Sequence, residues 1–471
     1  SLEDFIVADA AYLRSLVSRK GSYAVFQFDY LRYPIGDGNV IFHGEVGRDS
    51  LKVNDRTVAD LFGERLLPGH RHATFGRSLA IFAWPGKKPS GELIIADQYL
   101  PETVTDFGGL MERAKSYGCA TPLRYAIDWL ERRVKTSRIG GRLPIAIILC
   151  ARRPFHLIGS DSELELCPYL IEIGMPQLLQ EGDRTRVRPA GHRHAISAPL
   201  LRGMSGNGEA GDTLPWIQVG AGSLGSKVAL HLARAGRAPR TVIDPASLSP
   251  HNAARHGLVP GPMQGSWMGS KAVALAEAIR GLGQPSEACV EDVVDITRDA
   301  DRAKRILPKQ SWAIVNSTAS LGVREALASV PAGITIPRAV ETSLFADGWV
   351  GLLSVEGPER NPNSGDLITE VYALMREDPV LHQLVFTGDD RLRRQVIGEG
   401  CGSATMVMSD ARISMLAAPM AETLATMQRT GLPDAKGRIS LGVVAEDCIG
   451  QSWCTYDVDP WRVVVVDRAP T

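Results

Sequence analysis

The chain has 471 residues, 44% of them hydrophobic and 22% charged. This composition excludes global disorder and, at about 150 residues per domain, predicts about three domains rather than one core. A formal net charge of −1 excludes whole-molecule attraction to nucleic acid or anionic lipid, and seven cysteines, few and odd in number, exclude a disulfide framework and predict reduced thiols.

The first residues, SLEDFIVADAAYLRSLVSRK, carry Glu3, Asp4 and Asp9 where a secretory signal needs basic residues. The longest apolar run, LPIAIILCA at 143–151, falls short of the about 18 residues of a membrane span and reads as a buried strand. A cytoplasmic location is expected, with neither membrane nor nucleic acid as partner.

Aromatic and β-branched content predicts strands at SYAVFQFDYLRY (22–33) and SLAIFAW (78–84). Leu123, Ala126, Ile127 and Leu130 recur at helical spacing in 121–137. PIAIILCA, PFHLIG and LELCPYLIEIG then predict three successive strands, giving an α+β domain over residues 1–190 in which no cluster spells out chemistry. Two turn-rich stretches, EGDRTRVRPAGHRH (181–194) and SGNGEAGDT (205–213), mark a boundary near 181–213. Beyond it, over 191–471, the order becomes regular: strand WIQVG, helix 223–235, strand RTVID, helix 270–282, strand ACVEDVVDI, helix 298–306, strand WAIVN, helix 321–329. That alternation predicts an α/β fold, Rossmann-like, with a mainly parallel sheet covered on both faces. From residue 333 the pattern becomes strand-rich, with GWVGLLSVEG and RVVVVD, and adds antiparallel strands.

The stretch GAGSLG sets Gly220, Gly222 and Gly225 between a strand and a helix. In such a turn the first glycine permits the tight bend, the second lets backbone approach phosphate, and the third lets helix and strand pack closely. Phosphate then lies at the positive end of the helix. Asp244 ends the next strand, where a carboxylate accepts hydrogen bonds from a ribose. The turn alone fits NAD as well as ATP. Asn252, Arg255 and Lys271 separate the two, because they put phosphate-directed charge beside the turn. Hydride transfer has no use for that charge, whereas attack at an α-phosphate does.

The ordered set Gly220, Gly222, Gly225, Asp244, Asn252, Arg255 and Lys271 resembles the adenylation domain of the ThiF/MoeB and ubiquitin-activating enzymes over about residues 190–460. The resemblance implies ATP and magnesium as cofactors and adenylation of the C-terminus of a ubiquitin-like protein. It implies that Asp244 holds the ribose, that Asn252 and Arg255 hold the phosphates, and that Lys271 meets the α-phosphate during attack. It also implies a conjugating enzyme downstream, a bacterial conjugation pathway of the kind associated with phage defence, and action as a homodimer or internal pseudo-dimer. An arginine finger for the partner's triphosphate would be Arg193 or Arg202. The amino-terminal domain would be a degenerate adenylation-like half or a partner-recognition module. A fused conjugating domain, resting on Cys119 in YGCATP, is the weaker reading.

Two departures stand out. Where the family has D-x-T-D-N, with its second Asp on magnesium, this chain has Asn316, Thr318 and Ala319. A methyl group cannot ligate a hard cation, so either Asn316 or another residue holds the metal, or activity is reduced. The paired C-x-x-C motifs are absent, so no structural zinc is expected.

Cys401 sits between two glycines in VIGEGCGSATM, ahead of an Ala, Leu and Met helix. In the resembled family a cysteine in this crossover segment, here near 375–410, takes the acyl group as a thioester. Glu399 would raise the thiol's pKa and the following helix's amino end would lower it. Cys119, Cys150, Cys167 and Cys289 read as packing residues, Cys448 and Cys454 near the last strands carry only a weak metal reading, and His192 and His194 read as a solvated linker. Three other readings stay open: adenylation of a peptide or small-molecule carboxylate, a non-catalytic nucleotide-binding scaffold, and an NAD oxidoreductase.

Overall fold

The computed structural model describes residues 4–19, 22–36, 39–50, 67–70, 73–134, 142–174, 184–192, 196–206, 214–260, 269–387, 394–396 and 404–462. The chain divides into two compact units, residues 1–195 and 196–471. Among the described residues no helix is long and apolar enough to cross a membrane.

In the first unit, β1 (Phe5–Val7), α1 (Ala10–Leu16), β2 (Tyr23–Gly36), β3 (Asn39–Ser50), β4 (Leu67–His70) and β5 (Ala73–Ala83) lead to two helices, α2 (Phe107–Ser116) and α3 (Ala120–Val134). They are followed by β6 (Arg142–Arg152), β7 (Leu164–Gly174), β8 (Val187–Pro189) and β9 (Gly191–His192). The sheet runs β8-β7-β6-β5-β2-β3-β1-β9. Residues 187–192 pair with β7 at their start and with β1 at their end, so one segment joins both sheet edges. One sheet face packs Phe107, Leu110, Leu123 and Ile127 of α2 and α3; the other gathers Phe26, Phe28, Phe42 and Phe82.

The stretch PFHLIG is not the strand its apolar residues predict. Pro154 offers no N–H to a ladder, Gly159 takes φ +73°, and Leu157 N–H donates to the Ser162 carbonyl at 2.8 Å, so 154–163 is the turn of the β6–β7 hairpin. Cys119 is wholly buried, and burial pushes its thiol far up. That holds it protonated and removes the basis for a conjugating domain centred on it.

The second unit begins with α4 (Ala198–Met204), then β10 (Ile217–Val219), α5 (Ser223–Arg234), β11 (Thr241–Ile243), a short β12 (Ser247–Leu248), β13 (Gly269–Ser270) and α6 (Lys271–Gly281). Next come β14 (Glu287–Cys289), α7 (Val293–Arg298), α8 (Ala300–Ile306), β15 (Ile314–Asn316), α9 (Leu321–Ala328), β16 (Ala339–Phe345) and β17 (Val350–Val355). The rest are α10 (Ser364–Glu377), α11 (Pro379–Phe386), β18 (Arg394–Val396), β19 (Ala404–Met406), α12 (Asp410–Thr430), β20 (Gly437–Val444) and β21 (Gln451–Val458). The main sheet runs β14-β11-β10-β15-β16-β17-β20-β21, parallel from β14 to β16 and antiparallel beyond. This is the Rossmann-like mixed α/β fold, with its added antiparallel strands, that the alternation predicts. RVVVVD lies outside the described residues from 463 onward.

Helices α5, α6 and α12 cover one face, with Val228, Leu275, Leu416 and Met420 at its centre. Helices α7 and α9 cover the other through Ile296 and Leu327. The apolar run VVDI is helical rather than strand, because Asp292 accepts from Val294 N–H at 2.9 Å and caps the helix start, while Val293 and Ile296 fall on one buried face. From residue 333 the chain also adds α10, more helix than its strand-like runs suggest, and α12, the Ala, Leu and Met helix expected after Cys401.

Two carboxylates are buried in the antiparallel half. Glu341 on β16 faces Arg324 of α9, with Arg324 Nε donating at 2.8 Å and a second guanidinium nitrogen donating to the other oxygen. Glu356 accepts from Ala339 N–H at 2.8 Å, from Arg360 Nε at 2.8 Å, and from Ser364 N–H at 2.9 Å and its hydroxyl at 2.8 Å, tying β16 to the start of α10. Breaking such a pair leaves an uncompensated buried charge. Arg324→Ala is therefore expected to lower stability by about 3–5 kcal/mol in chemical denaturation, and Arg324→Met combined with Glu341→Leu by much less.

Candidate nucleotide site

The sheet order reverses between β10 and β15: from β10 the chain moves to β11 and β14 on one side, then returns to β15 and β16 on the other. Ligands of open α/β sheets bind at such a switch point, beyond the carboxyl ends of the strands. A cleft of about 330 Å3 lies there. Its walls come from the ends of β10 (Gly220, Gly222), β11 (Asp244, Ala246) and β15 (Ser317, Thr318), with Lys271 and Asp292 also lining it.

The three glycines differ in what requires them. Gly220 stands at φ +88°, a conformation glycine adopts freely. A Cβ on Gly225 would lie 2.1 Å from the Gly220 carbonyl oxygen, so only glycine lets α5 approach β10 this closely. A Cβ on Gly222 would meet nothing within 4 Å; the space over that residue is open. Gly222 is also the N-cap of α5, and no side chain caps it. The helix thus presents an uncapped, positively polarised end to the space that Gly222 leaves, which fits a phosphate.

Asp244 holds the turn in shape: one carboxylate oxygen accepts from Ala221 N–H at 2.7 Å and the other from Ala246 N–H at 2.8 Å. Each oxygen keeps a lone pair for a ribose hydroxyl. Lys271 opens α6 at the cleft, its backbone fixed by a 3.0 Å bond from its N–H to the Ala246 carbonyl. Arg255 reaches the amino end of α5, where its Nε donates to Ser223 Oγ at 3.0 Å, and burial lowers its pKa without discharging a guanidinium. Asn252 Oδ1 accepts from Ser249 N–H at 2.9 Å within its own turn. Arg202 donates to the Gly236 carbonyl at 3.1 Å, at the far end of α5 from this chain's own cleft. Cys401 and Arg193 lie outside the described residues.

Asn316 is buried at the end of β15, its Oδ1 accepting from Thr318 N–H at 3.1 Å and Thr318 Oγ1 at 2.7 Å. Ala319 takes φ +52°, a left-handed conformation that Asp and Asn tolerate better than Ala. The donor set does not fit the magnesium site of the resembled pattern: Ala319 offers a methyl, and the Asn316 oxygen is engaged by Thr318. No cluster of three or more His, Cys, Asp or Glu able to hold a metal occurs among the described residues.

Two residues outside the motif shape this site. His256 Nδ1 accepts from Leu258 N–H at 3.2 Å, so its Nε2 carries the proton and donates to the Ala221 carbonyl at 2.7 Å. Gly257 N–H donates to Ser226 Oγ at 2.9 Å. With the Arg255–Ser223 bond, these contacts staple the 249–258 segment along the start of α5 and deliver Arg255 there. Gln218, wholly buried, donates from Nε2 to the Gly220 carbonyl and to Ser317 Oγ, both at 2.9 Å. It straps the glycine turn to the turn after β15. A His beside the Arg was visible in NAARH; nothing in sequence signalled the Gln218 strap.

Comparison with known proteins finds likeness in fold only. No family model matches the chain, and no curated protein matches it. Among solved structures, Escherichia coli MccB bound to succinimide is 11% identical, over 52% of this chain and 65% of that one, at a TM-score of 0.34. MccB with MccA-N7isoASN is 11% identical, over 54% and 66%, at 0.34, and PaaA is 16% identical, over 53% and 65%, at 0.32. The chain thus spans about 65% of the length of these proteins.

The glycines give a paired prediction. Gly222→Ala is expected to keep the wild-type melting temperature and lose ATP binding, because its methyl enters the phosphate space; Gly225→Ala is expected to lower the melting temperature itself. Burial lowers the pKa of His256 from the ordinary 6.5, so the native state favours the neutral ring. The stability this contributes is present above pH 6.5 and is lost as pH falls through the lowered native value. Melting curves across that range should show a loss that His256→Gln reduces.

Proposed function

We propose that residues 196–471 form an ATP-dependent adenylating domain that activates a carboxylate. The observation that carries this reading is the placing of Arg255 on Ser223 at the uncapped amino end of α5, with Lys271 lining the cleft that opens from the same turn. A dinucleotide pyrophosphate is served by the helix end alone. Two added cations suit a triphosphate on which negative charge grows.

A carboxylate oxygen of the substrate attacks the α-phosphorus of ATP, the bond from that phosphorus to the bridging oxygen breaks, and pyrophosphate leaves with the electron pair. An acyl-adenylate remains. Asp244 orients the ribose through its spare lone pairs, while Arg255 and Lys271 stabilise charge on the phosphoryl oxygens and on the leaving pyrophosphate. No step is assigned to magnesium.

The substrate in this proposal is the C-terminal carboxylate of a ubiquitin-like protein, in a bacterial conjugation pathway of the kind associated with phage defence. The support for it is the ordered motif set together with the glycine-flanked Cys401 farther along the chain. That thiol takes the acyl group from AMP and passes it to a conjugating enzyme.

ATP–pyrophosphate exchange tests the first step and a reducible thioester the second. Arg255→Ala and Lys271→Ala are each expected to slow exchange by about 10²–10³-fold. Cys401→Ala should keep exchange and lose the thioester. Exchange without any thioester in the wild type would move the substrate to a peptide or small-molecule carboxylate. Absence of exchange with every carboxylate offered would refute adenylation.

A further inference from the structure

The first unit holds a cleft that the adenylation reading does not use. It has a volume of about 340 Å3 and is lined by Arg142, Arg184, Arg186 and Arg188, with Glu172 and Asn39 beside them. Arg184, Arg186 and Arg188 alternate along the extended segment that ends in β8, so their side chains leave one face of it while Val187 is buried on the other. Arg142 arrives separately, at the start of β6.

Arg188 is fixed in place. Its Nε pairs with Asp4 at 2.9 Å, its Nη1 donates to the Val40 carbonyl at 3.0 Å, and its guanidinium lies 5.1 Å from the centre of the Phe42 ring. Its Nη2 is buried with no hydrogen-bond partner among the described residues. A buried donor left unpaired is costly, and a guanidinium cannot lose its charge to escape that cost. Among the described residues, Glu172 and Asp4 are the acids beside the four arginines, an excess of two positive charges. Drawing like charges around one concavity is uphill until an anion fills it.

We propose that this cleft binds a small phosphorylated ligand. Guanidinium forks match the oxygens of a phosphoryl group, and Arg142, Arg184, Arg186 and Arg188, which line the cleft, close around those oxygens. Glu172, the one acid on the cleft wall among the residues lining it, accepts a hydrogen bond from a hydroxyl or amino group on the ligand. The site belongs to the first unit and does not depend on the adenylation reading.

Isothermal titration of the full chain with inorganic pyrophosphate, tripolyphosphate and citrate tests it. The variants are Arg184→Ala with Arg186→Ala, Arg142→Ala, and Lys271→Ala. Arg142, Arg184 and Arg186 are exposed, so their removal is expected to leave the fold intact, which circular dichroism checks. Tripolyphosphate and pyrophosphate should show one binding event that Lys271→Ala leaves unchanged and that the double variant and Arg142→Ala each weaken by about tenfold or more, separate from the event at the nucleotide cleft that Lys271→Ala weakens. Titrations in which Lys271→Ala weakens every binding event and the double variant and Arg142→Ala weaken none would place the anion at the nucleotide cleft alone and overturn the proposal. Citrate binding as tightly as tripolyphosphate would overturn the assignment to phosphoryl groups.

Discussion

The second unit depends on one close approach, that of α5 to β10 at Gly225. With a Cβ position 2.1 Å from the Gly220 carbonyl oxygen, no other residue lets the helix start where it does. That start fixes the uncapped end of α5 over the carboxyl ends of the parallel strands. Asp244 then holds Ala221 from below, Gln218 straps the turn to Ser317, and His256 holds the Ala221 carbonyl. Arg255 reaches the amino end of the helix because the segment carrying it is stapled to α5 through His256 and Gly257. The chemistry follows from packing: a helix pressed against a strand leaves room only above Gly222, and the charges converge on that room.

Much of this was legible in the sequence because it is local. The glycine turn, the acidic end of β11 and the strand–helix alternation are spacings within short windows, and the antiparallel additions show as apolar runs. The parts that were not legible are made by contacts between residues far apart. Gln218 and Ser317 are 99 residues apart, and His256 and Ala221 35; no periodicity carries such pairs. Composition misreads two short runs for a similar reason. PFHLIG and VVDI are apolar enough for strands, yet a proline, a positive-φ glycine and an aspartate cap decide them otherwise.

The absence of an acidic residue at position 319 also gains a physical setting. Ala319 keeps a left-handed backbone and Asn316 spends its oxygen on Thr318, so the turn after β15 keeps its shape while offering the cleft no carboxylate. Farther along the sheet, Glu341 and Glu356 are buried and fully engaged with arginines and backbone. They fasten α9 and α10 to the antiparallel strands, and so hold rigid the half of the sheet that backs the β15 wall.

The central claim is that the cleft at the switch point is built for a triphosphate beside a ribose. Titration of the full chain with ATP, AMP and NADH tests it most directly. Affinity is expected to be highest for ATP and to fall for AMP, because the helix end, Arg255 and Lys271 act on the phosphates, with NADH no tighter than AMP. NADH binding more tightly than ATP would contradict the claim and return the glycine turn to redox chemistry.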